Sequence, residues 1–118
     1  MSSEEKYDHN NIFAKIILKE IPAKIVFESD SILAFEDINP KAKTHILVVP
    51  KGQYANFTSF TSNAPSGEIS SFFQTVNNIA TNILKLQNFK ILTNNGYNAG
   101  QEVFHFHIHI LSSSISSL

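Results

Sequence analysis

Apolar residues recur along this chain in two periods, which predict helices in some segments and strands in others. Spacings of three and four residues occur within residues 12–17 and again within residues 67–86, and they predict two helices with one apolar face each. Pro22 is expected to end the first helix. The apolar face of the longer helix comprises Ile69, Phe72, Phe73, Val76, Ile79, Ala80 and Ile83.

Five short segments are rich in β-branched and aromatic residues, and each predicts a strand. They are residues 25–28, 32–36, 45–49, 89–94 and 103–111. Short turns join them, which favours an antiparallel sheet, and both helices are expected on its apolar face. The predicted fold class is therefore α+β, with a five-stranded antiparallel sheet, a short N-terminal helix and one long helix.

Histidine alternates with apolar residues near the end of the chain, from His105 through His107 to His109. Alternate side chains of a strand share one face, so the three imidazoles are expected to form a row with a spacing of about 6.6 Å. That row is expected to face solvent or a cleft. The opposite face, which core must cover, carries Phe104, Phe106, Ile108 and Ile110.

Three interpretations of this histidine row can be weighed on chemical grounds. An ordinary solvent-facing strand is one, although Thr, Lys or Ser would serve it at least as well. A zinc site is another: His107 and either neighbour could share an ion, but the outer pair is about 13 Å apart, too far for three bonds of about 2.0 Å. The third is chemistry on an anion, because an imidazole with a pKa of about 6.5 can be nucleophile, base or acid near neutral pH. We favour the third, with no metal and no other cofactor.

The composition is that of one globular domain. At 118 residues, 42% hydrophobic and 16% charged, the chain is long enough for a single core. We expect one domain over residues 1–118, with a mobile arm at residues 1–10 and a loose tail at residues 112–118. A net charge of −1 gives no electrostatic basis for binding nucleic acid. The absence of cysteine and of any membrane-length apolar run predicts a soluble cytoplasmic protein.

The basic residues restrict how a phosphate could be held. All nine are lysines, and the chain has no arginine. A phosphate site therefore cannot use a bidentate guanidinium group. It must rely on backbone N–H groups, histidines or lysine.

The segment HFHIHIL at residues 105–111 resembles the HxHxHxx signature of the histidine triad (HIT) superfamily, and it follows Gly100 and Gln101 as in that family. Resemblance to the Hint branch of the superfamily extends over residues 12–24, 35–40 and 44–51. It implies a homodimeric purine nucleoside phosphoramidase, which cleaves the P–N bond of adenosine or guanosine 5′-phosphoramidates through a nucleotidyl-histidine intermediate. The partners implied are a purine nucleotide, such as AMP or GMP, and a second copy of the chain.

The resemblance also implies roles for individual residues. His107 would be the nucleophile, and His109 would contact the phosphate or the leaving group. His105 and His45 would orient the row by hydrogen bonds, although a purely structural His105 is equally compatible. The implied nucleotide-binding set is Asp37 at the ribose hydroxyls, Asn94 near the sugar and phosphate, Gly100, Gln101 and Glu102 at the phosphate, and Phe13, Ile16, Ile21 and Ile38 at the base. From the pattern alone, the four apolar residues would belong to the core, and Asp37 and Asn94 to turns.

Because of two departures from the Hint pattern, the resemblance does not imply which leaving group is preferred. Glu102 stands where animal Hint proteins carry serine, and a carboxylate cannot donate a hydrogen bond unless it is protonated. The tail after Leu111 lacks the Trp- and Pro-containing ending of those proteins. Two alternative functions also stay open: hydrolysis of dinucleoside polyphosphates, as in the fragile-histidine-triad branch, and nucleotide binding without catalysis.

Overall fold

Five antiparallel strands form the sheet against which the helices pack. The structure is a computed structural model that describes residues 6–113. The strands are β1 (Ile25–Glu28), β2 (Ile32–Glu36), β3 (Thr44–Pro50), β4 (Lys90–Leu92) and β5 (Ile108–Ser112). They lie in the order β1-β2-β3-β5-β4, each antiparallel to its neighbours. The predicted α+β class and five-stranded antiparallel sheet are confirmed.

The helices are α1 (Ile12–Ile17), α2 (Phe57–Asn63) and α3 (Ser66–Asn78), the last continued by a π-helical turn (Ile79–Ile83). The predicted short and long helices correspond to α1 and α3, and α2 is additional. Its sequence is polar apart from two phenylalanines. It begins where the Asn56 carboxamide oxygen accepts a hydrogen bond from the Ser59 N–H at 2.8 Å.

Helix α1 is capped by an asparagine and is shorter than predicted. The Asn11 carboxamide oxygen accepts a hydrogen bond from the Ala14 N–H at 2.8 Å. Lys19 has a φ of 65°, a left-handed conformation that cannot continue a helix, so α1 stops before Pro22 is reached.

Helices α1 and α3 cover opposite faces of the sheet, which corrects the expectation that both lie on one apolar face. Consecutive residues of β2 and β3 are buried, so both faces of these strands are apolar and both need cover. Helix α1 packs through Phe13 and Ile16 on the face that carries Leu33, Phe35, Leu47 and Val49. Helix α3 and its π-helical turn cover the face that carries Ile32, Ala34, Ile46, Val48, Phe106, Ile108 and Ile110.

The histidine segment is only partly a strand, which corrects the prediction of a regular strand from residue 103. Strand β5 begins at Ile108, opposite Val48 of β3. Two residues further along β3 stands Pro50, which has no N–H to donate to the next position of the ladder. The Phe106 N–H donates to the Tyr54 carbonyl instead, at 2.7 Å. Residues 103–107 therefore leave the sheet.

Hydrogen bonds hold both ends of the described range. The Tyr7 hydroxyl bonds to His105, and the hydroxyl of Ser112, the last residue of β5, donates to the Asn88 carbonyl at 2.7 Å. Residues 1–5 of the predicted arm and residues 114–118 of the predicted tail lie outside the described residues. No helix within residues 6–113 has the length and apolar character needed to cross a membrane.

Candidate active site

A cleft of about 620 Å³ opens on the α1 side of the sheet. Strand pairing builds its floor, because His109 lies between Leu47 and Leu92, and His45 lies opposite Leu111. Helix α1 forms one wall, and the loop that precedes β5 forms another. Of the residues predicted for the site, all except His105 and Ile21 line this cleft.

A backbone hydrogen bond fixes the tautomer of His107. Its Nδ1 lies 2.7 Å from the His105 carbonyl oxygen. A carbonyl can only accept, so Nδ1 carries the hydrogen and Nε2 of the neutral ring keeps its lone pair. The Phe13 ring packs edge-on against the imidazole, with the ring centroids 4.9 Å apart. His107 is therefore held in the form that a nucleophile requires.

Buried contacts on the neighbouring residues keep His107 in place although it lies outside the sheet. The Phe106 side chain is fully buried and stacks on Phe60 with the ring centroids 4.8 Å apart. The Thr93 hydroxyl donates to the His107 carbonyl at 2.7 Å. An anchored aromatic ring and a held carbonyl leave the imidazole little freedom to move.

His45 and His109 form a hydrogen-bonded pair whose direction the backbone sets. The Lys41 N–H donates to Nδ1 of His45 at 3.0 Å, so the hydrogen of neutral His45 is on Nε2. That nitrogen lies 2.9 Å from Nδ1 of His109 and 3.4 Å from a carboxylate oxygen of Asp37. His109 accepts at Nδ1 and therefore carries its own hydrogen on Nε2. His109 is thus a donor, whereas His107 offers a lone pair.

Burial favours the neutral form of these imidazoles. It lowers the pKa of His107 and also the pKa of His45. Burial, together with the nearby rings of His107 and His45, lowers the pKa of His109 to about 4. A second proton on His109 would sit on Nδ1, facing the Nε2–H of His45, so the geometry opposes it as well. The cleft therefore presents neutral imidazoles at pH 7.

Asp37, His45 and His109 come close enough together to be considered as metal ligands, with one donor atom of each within 4.8 Å of the others. A zinc ion would need the lone pair of His45 Nε2. That nitrogen carries the ring's only hydrogen as long as Nδ1 accepts from the Lys41 backbone. The arrangement therefore favours a hydrogen-bonded cluster over a metal site.

His105 does not face the cleft, which corrects the prediction of three imidazoles in one row. Its side chain is 0% exposed, and both ring nitrogens are hydrogen-bonded inside the protein. Nε2 donates to the Pro50 carbonyl at 2.7 Å, and Nδ1 accepts from the Tyr7 hydroxyl at 2.7 Å. His105 affects the cleft only through its carbonyl, which accepts the hydrogen bond that orients His107.

The turn that leads into the histidine segment includes an unpaired backbone donor at the cleft. Gly96 and Gly100 have φ values of 100° and 94°, a region that favours glycine. The N–H groups of Gly100 and Gln101 donate to carbonyls within the turn. The N–H of Glu102, which lines the cleft, has no hydrogen-bond partner among the described residues. It is therefore available to an anion.

The carboxamide of Gln101 braces this turn. Its oxygen accepts from the Gly96 N–H at 2.8 Å, and its nitrogen donates to the carbonyls of Ala55 and Val103 at 2.8 and 2.9 Å. Both hydrogens of the carboxamide are used, so Gln101 shapes the turn and has none left to donate to a ligand. The Asn94 nitrogen similarly donates to the Ala99 carbonyl at 2.8 Å.

The apolar wall of the cleft combines Phe13 and Ile16 of α1 with Ile38, which follows β2. Ile38 is 90% exposed, so a ligand entering the cleft could cover it. Ile21 instead packs against the core beneath α1. Further lining residues were not predicted, among them Lys41, Leu47, Lys90, Leu92 and Leu111. Leu47 and Leu111 could have been inferred, because they lie two residues along a strand from His45 and His109 and so share their face. No pattern in the sequence indicates Lys41, which contributes through its backbone N–H.

Known proteins resemble this chain over most of its length. The family model described as HIT domain matches residues 18–114. An uncharacterized HIT-like protein of Rickettsia prowazekii is 45% identical over 106 residues, which are 89% of this chain and 88% of the relative. A HIT family hydrolase from Legionella pneumophila has a TM-score of 0.78 and 36% identity, covering 87% of this chain and 92% of its own. A hypothetical histidine triad nucleotide-binding protein from Sulfolobus tokodaii has a TM-score of 0.78 and 29% identity, over 89% and 70% of the two chains.

Proposed function

This chain belongs to the HIT domain family, and on that premise we propose that it hydrolyses purine nucleoside 5′-phosphoramidates or related nucleoside monophosphate esters. The observation that carries the proposal is the tautomer of His107, whose Nδ1–H is held by a carbonyl while Nε2 keeps a lone pair in the cleft. The names of two solved relatives, a hydrolase and a nucleotide-binding protein, support it.

The chemistry proceeds in two displacements at phosphorus. The lone pair on His107 Nε2 forms an N–P bond while the P–N bond to the departing amine breaks, and the amine leaves with that electron pair. The Nδ1 hydrogen stays on the ring, so the positive charge of the nucleotidyl-imidazole faces the His105 carbonyl oxygen. Water then attacks phosphorus and loses a proton to solvent, which balances the proton that the departing amine takes from water. The electron pair of the N–P bond returns to Nε2 as the nucleoside monophosphate leaves.

His109 contributes a hydrogen bond rather than a proton. Its Nε2–H can donate to a phosphate oxygen beside His107, whose ring centroid is 5.0 Å away. Loss of that hydrogen would leave an imidazolate, because Nδ1 only accepts from His45. The departing amine therefore takes its proton from water. The Glu102 N–H is the second neutral donor for the phosphate, which suits a chain without arginine.

The nucleoside occupies the side of the cleft between α1 and Asp37. Phe13, Ile16 and Ile38 contact the base, and the Asp37 carboxylate accepts hydrogen bonds from the ribose hydroxyls. One Asp37 oxygen already accepts from the Asn39 N–H at 2.8 Å, which holds the carboxylate in place. A carboxylate that accepts from both ribose hydroxyls should bind deoxynucleosides less well.

The test of the proposal is a comparison of two substrates. An adenosine 5′-phosphoramidate should be turned over faster than diadenosine triphosphate, and quenching in alkaline denaturant during turnover should trap a nucleotidyl group on His107. Faster hydrolysis of diadenosine triphosphate would instead assign the chain the activity of the fragile-histidine-triad branch, hydrolysis of dinucleoside polyphosphates. AMP binding without turnover of either compound would support the other alternative, nucleotide binding without catalysis.

Gly100→Val should weaken AMP binding by at least about tenfold, or about 1.4 kcal/mol, with the fold retained. At a φ of +94° a β-branched residue is strained, so the backbone beside the free Glu102 N–H has to shift. The added Cβ would lie 3.6 Å from the Asn94 side chain, an ordinary contact, so the effect should come through the backbone rather than through a clash. Calorimetric titration with AMP measures it.

Gly96→Val is the matched control for this variant. Gly96 has a similar φ of +100° but does not line the cleft, so its replacement should cost stability with a smaller change in AMP affinity. Lys41→Ala and Lys90→Ala should also have smaller effects than Gly100→Val. Loss of AMP binding in a lysine variant, with normal binding by Gly100→Val, would show that a cationic side chain holds the phosphate.

The proposed enzyme is a cytosolic homodimer. Phe72 is buried in the core, whereas the adjacent Phe73 is only half-buried, and Ile83 and Ile91 are exposed. A second copy of the chain would cover this apolar surface. Light scattering at micromolar concentration should give twice the chain mass of 13.2 kDa. The monomer mass would contradict the dimer without affecting the assignment of His107.

A further inference from the structure

We propose that Tyr7, in the segment that precedes α1, is a positioning residue that orients His107 through His105. The Tyr7 hydroxyl lies 2.7 Å from Nδ1 of His105, a residue 98 positions away in the chain. Because Nε2 of His105 donates to the Pro50 carbonyl, Nδ1 must accept and the Tyr7 hydroxyl must donate. Burial raises the pKa of Tyr7, so the hydroxyl keeps the proton that this bond needs.

The hydrogen bond from Tyr7 gives the second ring nitrogen of buried His105 its partner. His105 is fully buried, and its two ring nitrogens have Pro50 and Tyr7 as their partners. The Tyr7 ring also packs edge-on against the imidazole, with the centroids 5.5 Å apart. A buried acceptor that loses its donor costs more than the bond itself was worth. Without the hydroxyl, residue 105 is therefore expected to shift.

A shift of residue 105 is transmitted directly to the nucleophile. The His105 carbonyl accepts the Nδ1–H of His107 at 2.7 Å, and this bond sets the direction of the Nε2 lone pair. The segment that contains Tyr7 also contributes to the position of Phe13, which packs against His107. The Asn11 N–H donates to the Asp8 carbonyl at 3.0 Å, and Asn11 caps the helix that places Phe13 against His107.

The location of Tyr7 separates its effect on chemistry from any effect on binding. Neither Tyr7 nor His105 lines the cleft, so neither contacts the nucleotide. Loss of the hydroxyl should therefore lower the rate of the attack by His107 while nucleotide affinity stays unchanged. A misplacement of the reacting atom by a fraction of an ångström is enough to slow a displacement about tenfold.

The experiment compares Tyr7→Phe with His9→Ala. In Tyr7→Phe the rate of nucleotidyl-His107 formation per active site, normalised by burst amplitude, should fall about tenfold, and AMP affinity by calorimetry should stay within about twofold. His9 is exposed and packs edge-on against the Tyr7 ring at 5.2 Å, so His9→Ala removes a ring contact and keeps the hydroxyl. It should react like the wild type. An equal loss in His9→Ala, or a Tyr7→Phe rate within twofold of the wild type, would overturn the assignment.

A second measurement does not depend on the proposed function, on which the kinetic test rests. The Nδ1–H of His107, hydrogen-bonded to a carbonyl, should give a ring-proton NMR signal in the resting protein. This signal should move in Tyr7→Phe and stay in His9→Ala. If Tyr7→Phe does not fold, 3-fluorotyrosine at position 7 changes the strength of the donor and should move the same signal. An unmoved His107 signal would overturn the positioning role, whereas a wild type without turnover would overturn the proposed function alone.

Discussion

Replacement of His107 by alanine should lower phosphoramidate turnover by at least about 10³-fold while AMP still binds. His107 is the histidine of the cleft whose Nε2 holds a lone pair, because His45 and His109 both carry a hydrogen on that atom. The groups assigned to the base, ribose and phosphate lie on other residues and remain in place. Steady-state turnover and calorimetric titration with AMP measure the two effects separately.

Quenching in alkaline denaturant, in which the N–P bond of a nucleotidyl-histidine persists, and intact-mass analysis sharpen the test of His107. The wild type and His9→Ala, which alters a histidine outside the cleft, should both show a nucleotidyl adduct during turnover. His107→Ala should show none. Turnover within tenfold of the wild type, or an adduct that persists on His109, would contradict the assignment of the nucleophile.

The fold class followed from periodicity because the local pattern and the burial agree. The five segments rich in β-branched and aromatic residues overlap β1 to β5, and the two helical stripes became α1 and α3. Helix α2 escaped prediction because its two phenylalanines, Phe57 and Phe60, are too few to define a period. The expectation that both helices lie on one face was wrong because it overlooked the continuous apolar run in β3, which is typical of a strand covered on both faces; α1 therefore lies opposite α3.

The prediction that the three histidines share one face was wrong because of a contact that strand alternation does not predict. Pairing of β5 with β3 stops next to Pro50, so His105 turns into the core while His109 stays on the cleft face. Alternation assigns faces only as far as the ladder extends. The position of Pro50 opposite the histidine segment depends on a pairing between residues far apart in sequence, which no local pattern specifies.

The tautomers of the site depended on the backbone conformation near each histidine and, for His109, on a contact between two strands. The backbone N–H of Lys41, four residues away, sets the tautomer of His45. His45 then donates a hydrogen bond to His109 on the neighbouring strand. Tyr7 lies in a segment that composition alone assigned to a mobile arm. The histidine pattern and the family resemblance therefore indicated His45, His107 and His109, which line one cleft, and the fold was needed to show which nitrogen of each ring carries the hydrogen.

Acid should destabilise this protein between about pH 6.5 and about pH 4, with His105 as the largest single cause. Burial lowers the pKa of His105 from 6.5 to about 4. Between those values the unfolded chain binds a proton that the folded chain does not, so the free energy of unfolding falls as the pH falls. The stabilisation is fully present above pH 6.5 and is lost on the way down to about pH 4. A shift of this size corresponds to about 3 kcal/mol.

Urea denaturation at about pH 7 and about pH 4.5 should show this loss as a lower midpoint with an unchanged slope. His105→Gln removes the titrating group and should flatten the dependence, even if its stability at pH 7 is lower because the bonds to Tyr7 and Pro50 change. His9→Ala should keep the full dependence, since His9 is exposed and its replacement leaves His105 and its partners in place. His109, also with a pKa lowered to about 4, adds a smaller share because it is only partly buried. An acid loss in His105→Gln as steep as in the wild type would mean that the proton is taken up by His109 or His107, and that burial of His105 is not what makes the fold sensitive to acid.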